Sequence, residues 1–265
     1  APVESGLTLE NANLLVGYRH STGWARNQKV FFAITTSVPI ENTVLVKDGQ
    51  VENSVKSVDG IKTGGQFFFP SNTDSVEVKV AVSSVSIANA KENLATHGNE
   101  KSFDSAKKEA EEDWNTILSK IQVETPLDSL KTIFYTALYH TQLAPVLFSD
   151  VNGQFRLQND SIVTQKDGDV YSTLSLWDTF RAENPLLNIL EPERVNDMIS
   201  SMLAYYDEQG RLPVWTLYGN ETNTMTGNHG VSVIAEAYVK GIRGYDVEKA
   251  RSEEHTSELQ SPVPI

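Results

Sequence analysis

The pattern of apolar and polar positions changes character once along the chain. Over roughly the first ninety residues it has the period of β-strands, in short runs rich in β-branched and aromatic residues. Leu14–Tyr18, Lys29–Thr35, Thr43–Val46, Gln66–Phe69 and Ser75–Ser83 are the predicted strands. Turn formers separate them: Asp48-Gly49, Asp59-Gly60, Gly64-Gly65 and Pro70-Ser71-Asn72. Val76, Val78, Val80 and Val82 alternate with other residues, which predicts a strand with one buried face. Short strands at this spacing suggest a β-sandwich, and the open start suggests that only part of one is present.

Near Ser102 the period becomes helical. Residues 102–121 form a predicted helix with Trp114, Ile117, Leu118 and Ile121 on one face. A second helix should start with Thr125 as N-cap, Pro126 at its first position and Asp128 in its positive first turn, and run to about Leu143. Asp150-Val151-Asn152-Gly153 reads as a hairpin turn. Helical stretches follow at 174–190, 192–208 and 226–240. Pro185 should end or kink the first, and Gly210 and Gly241 should stop the others. Strands followed by helices predict two domains, a partial β-sandwich and then an α/α barrel or an open bundle. The expected boundaries are 1–92 for the sandwich, 93–124 for a linker helix and 125–250 for the helical domain.

Composition narrows the function. The 265 residues carry a net charge of −13, with no Lys/Arg cluster, which disfavours nucleic-acid binding. There is no cysteine, so thiolate metal sites, thiol catalysis and disulfides are excluded. No apolar run approaches the ~18 residues that span a bilayer, and no signal segment opens the chain, which begins at Ala1 without Met. Residues 251–265 open with R-S-E-E-H-T-S-E-L-Q-S, which looks like a translated sequencing adapter. Such a tail carries no information about the fold, and the natural chain is expected to diverge near Ala250.

The five histidines show no paired metal-ligand spacing, and phosphate-binding or nucleophile-elbow glycine motifs are absent. Polar and aromatic residues concentrate in three segments: 17–25, 175–181 and 215–223. Tryptophans beside carboxylates suit a sugar, because the indole stacks on the C–H face of a pyranose while carboxylates and Arg bind its hydroxyls. The plain alternatives are core packing for Trp24 and Trp177, an Asp178–Arg181 ion pair along a helix, and an exposed loop for Glu221.

Six motifs occur in order: G-Y-R-x-S-x-G-W-A-x-N-Q, Y-T-A-L-Y-H-T-x-L-A-P, L-F-S-D-V-N-G, S-L-W-D-T-F-R-A-x-x-P-L-L, E-R-V-N-D-M and G-N-E-T-N. Together, from about Val16 to Ala250, they resemble glycoside hydrolase family 92, the calcium-dependent exo-acting α-mannosidases. The resemblance implies an N-terminal β-sandwich packed on an (α/α)6 barrel, release of terminal mannose from mannans or N-glycans with inversion, and bacterial export to periplasm or cell surface. It makes Glu221 the general acid, raised in pKa by burial beside Trp215 and Tyr218. It makes Trp24, Trp177, Asp178, Arg181, Asn220 and His229 substrate-binding residues; Glu236 reads as a surface or packing residue. The implied partners are α-mannoside glycans and the implied cofactor is calcium. The family's base is an Asp in a downstream G-N-D/E-D-x-G-Q type motif that this chain does not contain, so the chain alone is expected to be inactive. The competing readings are another α/α-barrel glycosidase or lyase, and a non-catalytic carbohydrate-binding protein.

Overall fold

A computed structural model describes residues 1–53, 55–98 and 101–252. Most of the C-terminal tail set apart above lies outside the described residues. Contacts divide the chain into two compact units, 1–103 with 149–166, and 104–148 with 167–265. Residues 149–166, expected within the helical domain, therefore pack with the first unit.

The first unit starts with strands β1 (Pro2–Asn11), β2 (Leu14–Ser21), β3 (Gln28–Thr36), β4 (Asn42–Lys47), β5 (Gln50–Glu52), β6 (Ser57–Gly60), β7 (Thr63–Phe68) and β8 (Val78–Ser83), followed by helix α1 (Ile87–Gly98). Five strands form an antiparallel sheet in the order β6-β1-β2-β3-β8, and three form a second, β5-β4-β7. Alternation along each strand gives the large sheet two different apolar faces. Leu9, Leu15 and Ile40, with Leu7, Ile34, Phe67 and Phe69, make one core, which joins the large sheet to β7. Val16 and Ala33 pack on the opposite face against Ala90 and Leu94 of α1.

Two expectations need correcting. The valines of β8 are not its buried face: Val78, Val80 and Val82 are 53%, 59% and 58% exposed. They share a face with Ile34 and Phe32, but β8 is an edge strand, and the core on that face does not extend to them. Ala81, on the other face, packs into the α1 core instead. Residues 87–92, expected within the sandwich, are already helical, so the helix expected from 93 starts at Ile87.

The excursion 149–166 supplies β10 (Gln154–Arg156) and β11 (Ile162–Thr164), paired as a hairpin; β9 (Val146–Leu147) comes just before it. A turn forms at Asp150–Gly153, with Gly153 N–H donating to the Asp150 carbonyl at 2.8 Å, but it is not the expected hairpin, because β10 on its far side pairs with β11 rather than with β9. The Asp150 carboxylate is buried and accepts three side-chain donors: Ser83 Oγ at 2.6 Å, Asn89 Nδ2 at 3.0 Å and Asn93 Nδ2 at 2.8 Å. Arg156 donates to the carbonyls of Ser84 and Val85 at 2.8 and 2.6 Å. Phe155 fills the interior with no exposed surface. A motif that reads as a simple loop is thus a fastening between β8, α1 and the hairpin.

The second unit contains α2 (Phe103–Leu118, entering from the first unit), α3 (Asp128–His140), β9 (Val146–Leu147), β12 (Tyr171–Ser172), β13 (Leu174–Ser175), α4 (Leu176–Thr179), α5 (Glu183–Leu190), α6 (Pro192–Gln209), β14 (Trp215–Leu217), β15 (Asn220–Glu221) and α7 (His229–Val239). The expected face of α2 is the half-buried one, through Trp114, Ile117 and Leu118. The helix expected from Thr125 starts at Asp128, and the Thr125 hydroxyl instead accepts the Leu127 N–H at 3.3 Å. The single helix expected over 174–190 is a short strand and two helices. It breaks at 180–182, and Pro185 sits in the first turn of α5, where its missing N–H costs nothing. α6 buries Val195, Met198, Ile199, Met202 and Tyr205 at helical spacing. Gly210 and Gly241 follow α6 and α7 with φ of 69° and 89°, the predicted left-handed stops. No closed barrel is formed among the described residues.

Candidate functional site

Glu221 is the centre of the candidate site, and it does not lie in an open loop. β14 and β15 form a hairpin whose two-residue loop, Tyr218-Gly219, has φ of 49° and 74°. Positive φ at both positions is the turn that matches strand twist. β13 pairs with the other side of β14, through Leu174↔Thr216 and Ser175↔Trp215. This small sheet brings the 175–181 and 215–223 segments together, although they are about forty residues apart in sequence.

Glu221 is 3% exposed. Its Oε2 accepts the Val214 N–H at 2.8 Å, and its Oε1 accepts the Asn223 N–H at 2.7 Å. The Trp215 N–H points between both oxygens, at 3.2 and 3.3 Å. The carboxylate therefore holds the start of β14 to the chain leaving β15. Thr222 adds its N–H and hydroxyl to the Trp215 carbonyl, both at 3.0 Å. Asn220 is buried beside it and donates Nδ2 to the Tyr218 carbonyl at 2.8 Å. Tyr218, expected to help bury Glu221, is itself an exposed residue.

α4 starts directly after β13 and carries Trp177 and Asp178; Arg181 follows its end. Asp178 is exposed and accepts the Ser175 hydroxyl. It makes no ion pair with Arg181. Instead the Arg181 guanidinium lies 4.8 Å from the Trp177 ring centroid and 4.5 Å from that of Phe180, and Nη1 donates to the Trp177 carbonyl at 2.8 Å. His229, first residue of α7, stacks on Phe180 with centroids 4.1 Å apart. Phe180 was missed as a site residue; its signal was its place inside the W-D-T-F-R motif. Glu236 pairs with Lys240 at 2.7 Å, one turn on, as a surface residue does. Two surface concavities, near Tyr135 and near Ile40, are lined by none of these residues.

Trp24 belongs to the first unit and is 71% exposed, so it is not sandwich core. Its motif also carries Tyr18 and His20, whose rings are 5.2 Å apart, with Phe31 6.0 Å from His20. Burial pushes His20 below the ordinary imidazole range, and Lys29 adds to this. A histidine with a lowered folded pKa contributes stability at high pH that is lost as pH falls. Thermal stability should therefore drop as pH is lowered from about 7 towards 5, and His20→Gln should flatten that slope. An equal slope in both proteins would contradict this origin.

Calcium takes six to eight oxygen ligands. Among the described residues no group of three or more His, Asp or Glu side chains is arranged to hold a metal ion. No helix among the described residues is long and apolar enough to cross a membrane.

The profile of the glycosyl hydrolase family 92 N-terminal domain matches residues 1–83, and that of the family's catalytic domain matches residues 89–261. The chain belongs to glycoside hydrolase family 92. The catalytic-domain match extends into the segment set apart at the C-terminus. No curated protein gives a significant match. Among solved structures, the family GH92 α-mannosidase BT3965 from Bacteroides thetaiotaomicron is 32% identical with a TM-score of 0.93, covering 99% of this chain and 36% of its own. The GH92 inverting mannosidase BT2199 from the same species is 26% identical with a TM-score of 0.86, covering 94% of this chain and 35% of its own. BT3965 has also been solved with mannoimidazole. The sheet-rich part followed by helices is the arrangement these enzymes share, and this chain spans about a third of their length.

Proposed function

We propose that this chain carries the acid-bearing part of an exo-acting, inverting α-mannosidase, with Glu221 as general acid and α-mannoside glycans as substrate. The observation that carries this reading is the small sheet β13-β14-β15, which sets buried Glu221 one strand away from β13, the strand leading into Trp177, Asp178 and Arg181. Such a hydrolase protonates the leaving oxygen with one carboxyl and activates water with another, about 6.5–9.5 Å away. The base motif is absent from these 265 residues. The isolated chain should therefore release mannose far more slowly than a complete relative. Trp177 offers a ring face, Asp178 a hydroxyl acceptor, and Arg181, Asn220 and His229 further polar contacts; Trp24 is proposed as a sugar-stacking residue of the first unit. Calcium dependence, and export to periplasm or cell surface, follow from the family resemblance.

One observation favours a second reading, a carbohydrate-binding protein in which Glu221 is only a brace. Three backbone N–H groups already point at its oxygens, and a protonated carboxyl would turn its own O–H against one of them. The substrate class is tested by offering α-mannosides, α-glucosides and uronates to the protein carrying this sequence, with and without a chelator. Mannose release that the chelator abolishes is expected. Turnover of glucosides or uronates with mannosides untouched would place the chain's chemistry elsewhere.

A further inference from the structure

His229 is held in place without using its hydrogen bonds. Neither ring nitrogen has a hydrogen-bond partner among the described residues, yet two neighbours fix the ring. The first is Phe180, whose ring lies parallel to the imidazole, 8° between planes and 4.1 Å between centroids. The second is Gly227. A Cβ built there would stand 2.6 Å from His229 Nε2 and 3.0 Å from Cε1, and the backbone at 227 has φ of 89°. Any side chain at 227 would both strain that backbone and push the imidazole away.

Phe180 is itself anchored. Its N–H closes α4 on the Leu176 carbonyl at 3.1 Å. The Arg181 guanidinium lies over both its ring and that of Trp177. α4 also packs close to the start of α7, since a Cβ on Gly230 would meet Leu176 Cδ1 at 3.6 Å. The result is a continuous stack of imidazole, phenyl, guanidinium and indole. An imidazole donates and accepts only in its ring plane, so the tilt of that plane decides which hydroxyl of a ligand it meets.

We propose that Phe180 and Gly227 are positioning residues that fix the imidazole plane of His229, so that one ring nitrogen reads a hydroxyl of the bound sugar. For the identity of the ligand this rests on the mannoside reading above. A positioned polar group whose hydrogen bonds are still open is what a preorganised ligand contact requires.

The test uses the 265-residue chain with labelled histidine, followed by NMR, and mannoimidazole as the probe. In the free protein the His229 ring C–H signals should be displaced by the Phe180 ring current. Phe180→Leu should move them towards the values of an exposed histidine, and Gly227→Ala should move them by a different route. With mannoimidazole, His229→Gln and Phe180→Leu should each weaken binding about tenfold, and the double variant should be no weaker than His229→Gln alone. If Phe180→Leu fails to fold, Gly227→Ala paired with His229→Gln gives the same cycle. Losses that add, or ring signals indifferent to both substitutions, would overturn the positioning role. If a complete protein carrying this sequence binds no mannoimidazole while the ring signals still follow Phe180, the positioning is supported and the mannoside reading fails on its own.

Discussion

Asp150→Ala is expected to lower the stability of the first unit by roughly 3–5 kcal/mol. The carboxylate is buried and is the acceptor for Ser83, Asn89 and Asn93, from β8 and α1. Deleting it leaves donors in a dry setting, each costing about 1–3 kcal/mol when unmet. Asn89 retains the Gln154 oxygen and Asn93 the Val82 carbonyl, each at 2.9 Å, so the full loss falls on Ser83 and a partial one on Asn93. Asp150→Asn keeps one acceptor oxygen and should cost less. Hydrogen exchange locates the effect: amides of β8, α1 and the β10–β11 hairpin should exchange faster, while those of α6 stay protected. Unchanged exchange in β8 and α1 would show that the fastening carries no stability.

Glu221→Gln should have two separable effects. Gln keeps one carbonyl oxygen but turns an NH2 towards backbone N–H groups that need an acceptor. Of the Val214 and Asn223 donors, one loses its partner, at about 1–3 kcal/mol. A lower unfolding temperature in urea or heat is the expected sign. The chemical effect is larger. A general acid contributes about 10²–10⁴ in rate, so mannose release by a complete protein carrying this sequence should fall by that factor, beyond what lost folded protein explains.

Parts of this architecture were legible in the sequence because their signals are local. α6 shows its apolar stripe from Val195 to Tyr205 and ends on a glycine that takes a left-handed conformation. β2 and β3 show β-branched and aromatic runs long enough to stand alone. What was missed depends on distant partners. α1 buries only Asn89, Ala90 and Leu94, too thin a stripe to announce a helix. The valines of β8 alternate as a half-buried strand should, but coverage of an edge strand is decided by other strands. β15 is two residues long and exists because β14 pairs with both it and β13. Its loop starts with Tyr218 at positive φ, where Asn, Asp or Gly would have signalled the turn.

The candidate site was legible in a different way. Trp177, Asp178, Arg181 and Glu221 were singled out by motif, and the fold joins their segments through β13–β15. The Arg181 stack and the imidazole on Phe180 were not foreseeable, since helical spacing suggests an Asp178–Arg181 pair and says nothing of a residue 49 positions away.

The acid role of Glu221 is tested most directly by leaving-group dependence. Rates on methyl α-mannoside and on 2,4-dinitrophenyl α-mannoside would be measured for the protein carrying this sequence and for its Glu221→Gln variant. Methoxide needs a proton to leave and dinitrophenoxide does not. The account predicts a loss of about 10²–10⁴ on the methyl glycoside and a far smaller loss on the aryl one. Equal losses on both substrates would contradict it and leave Glu221 as a brace for the β14–β15 hairpin.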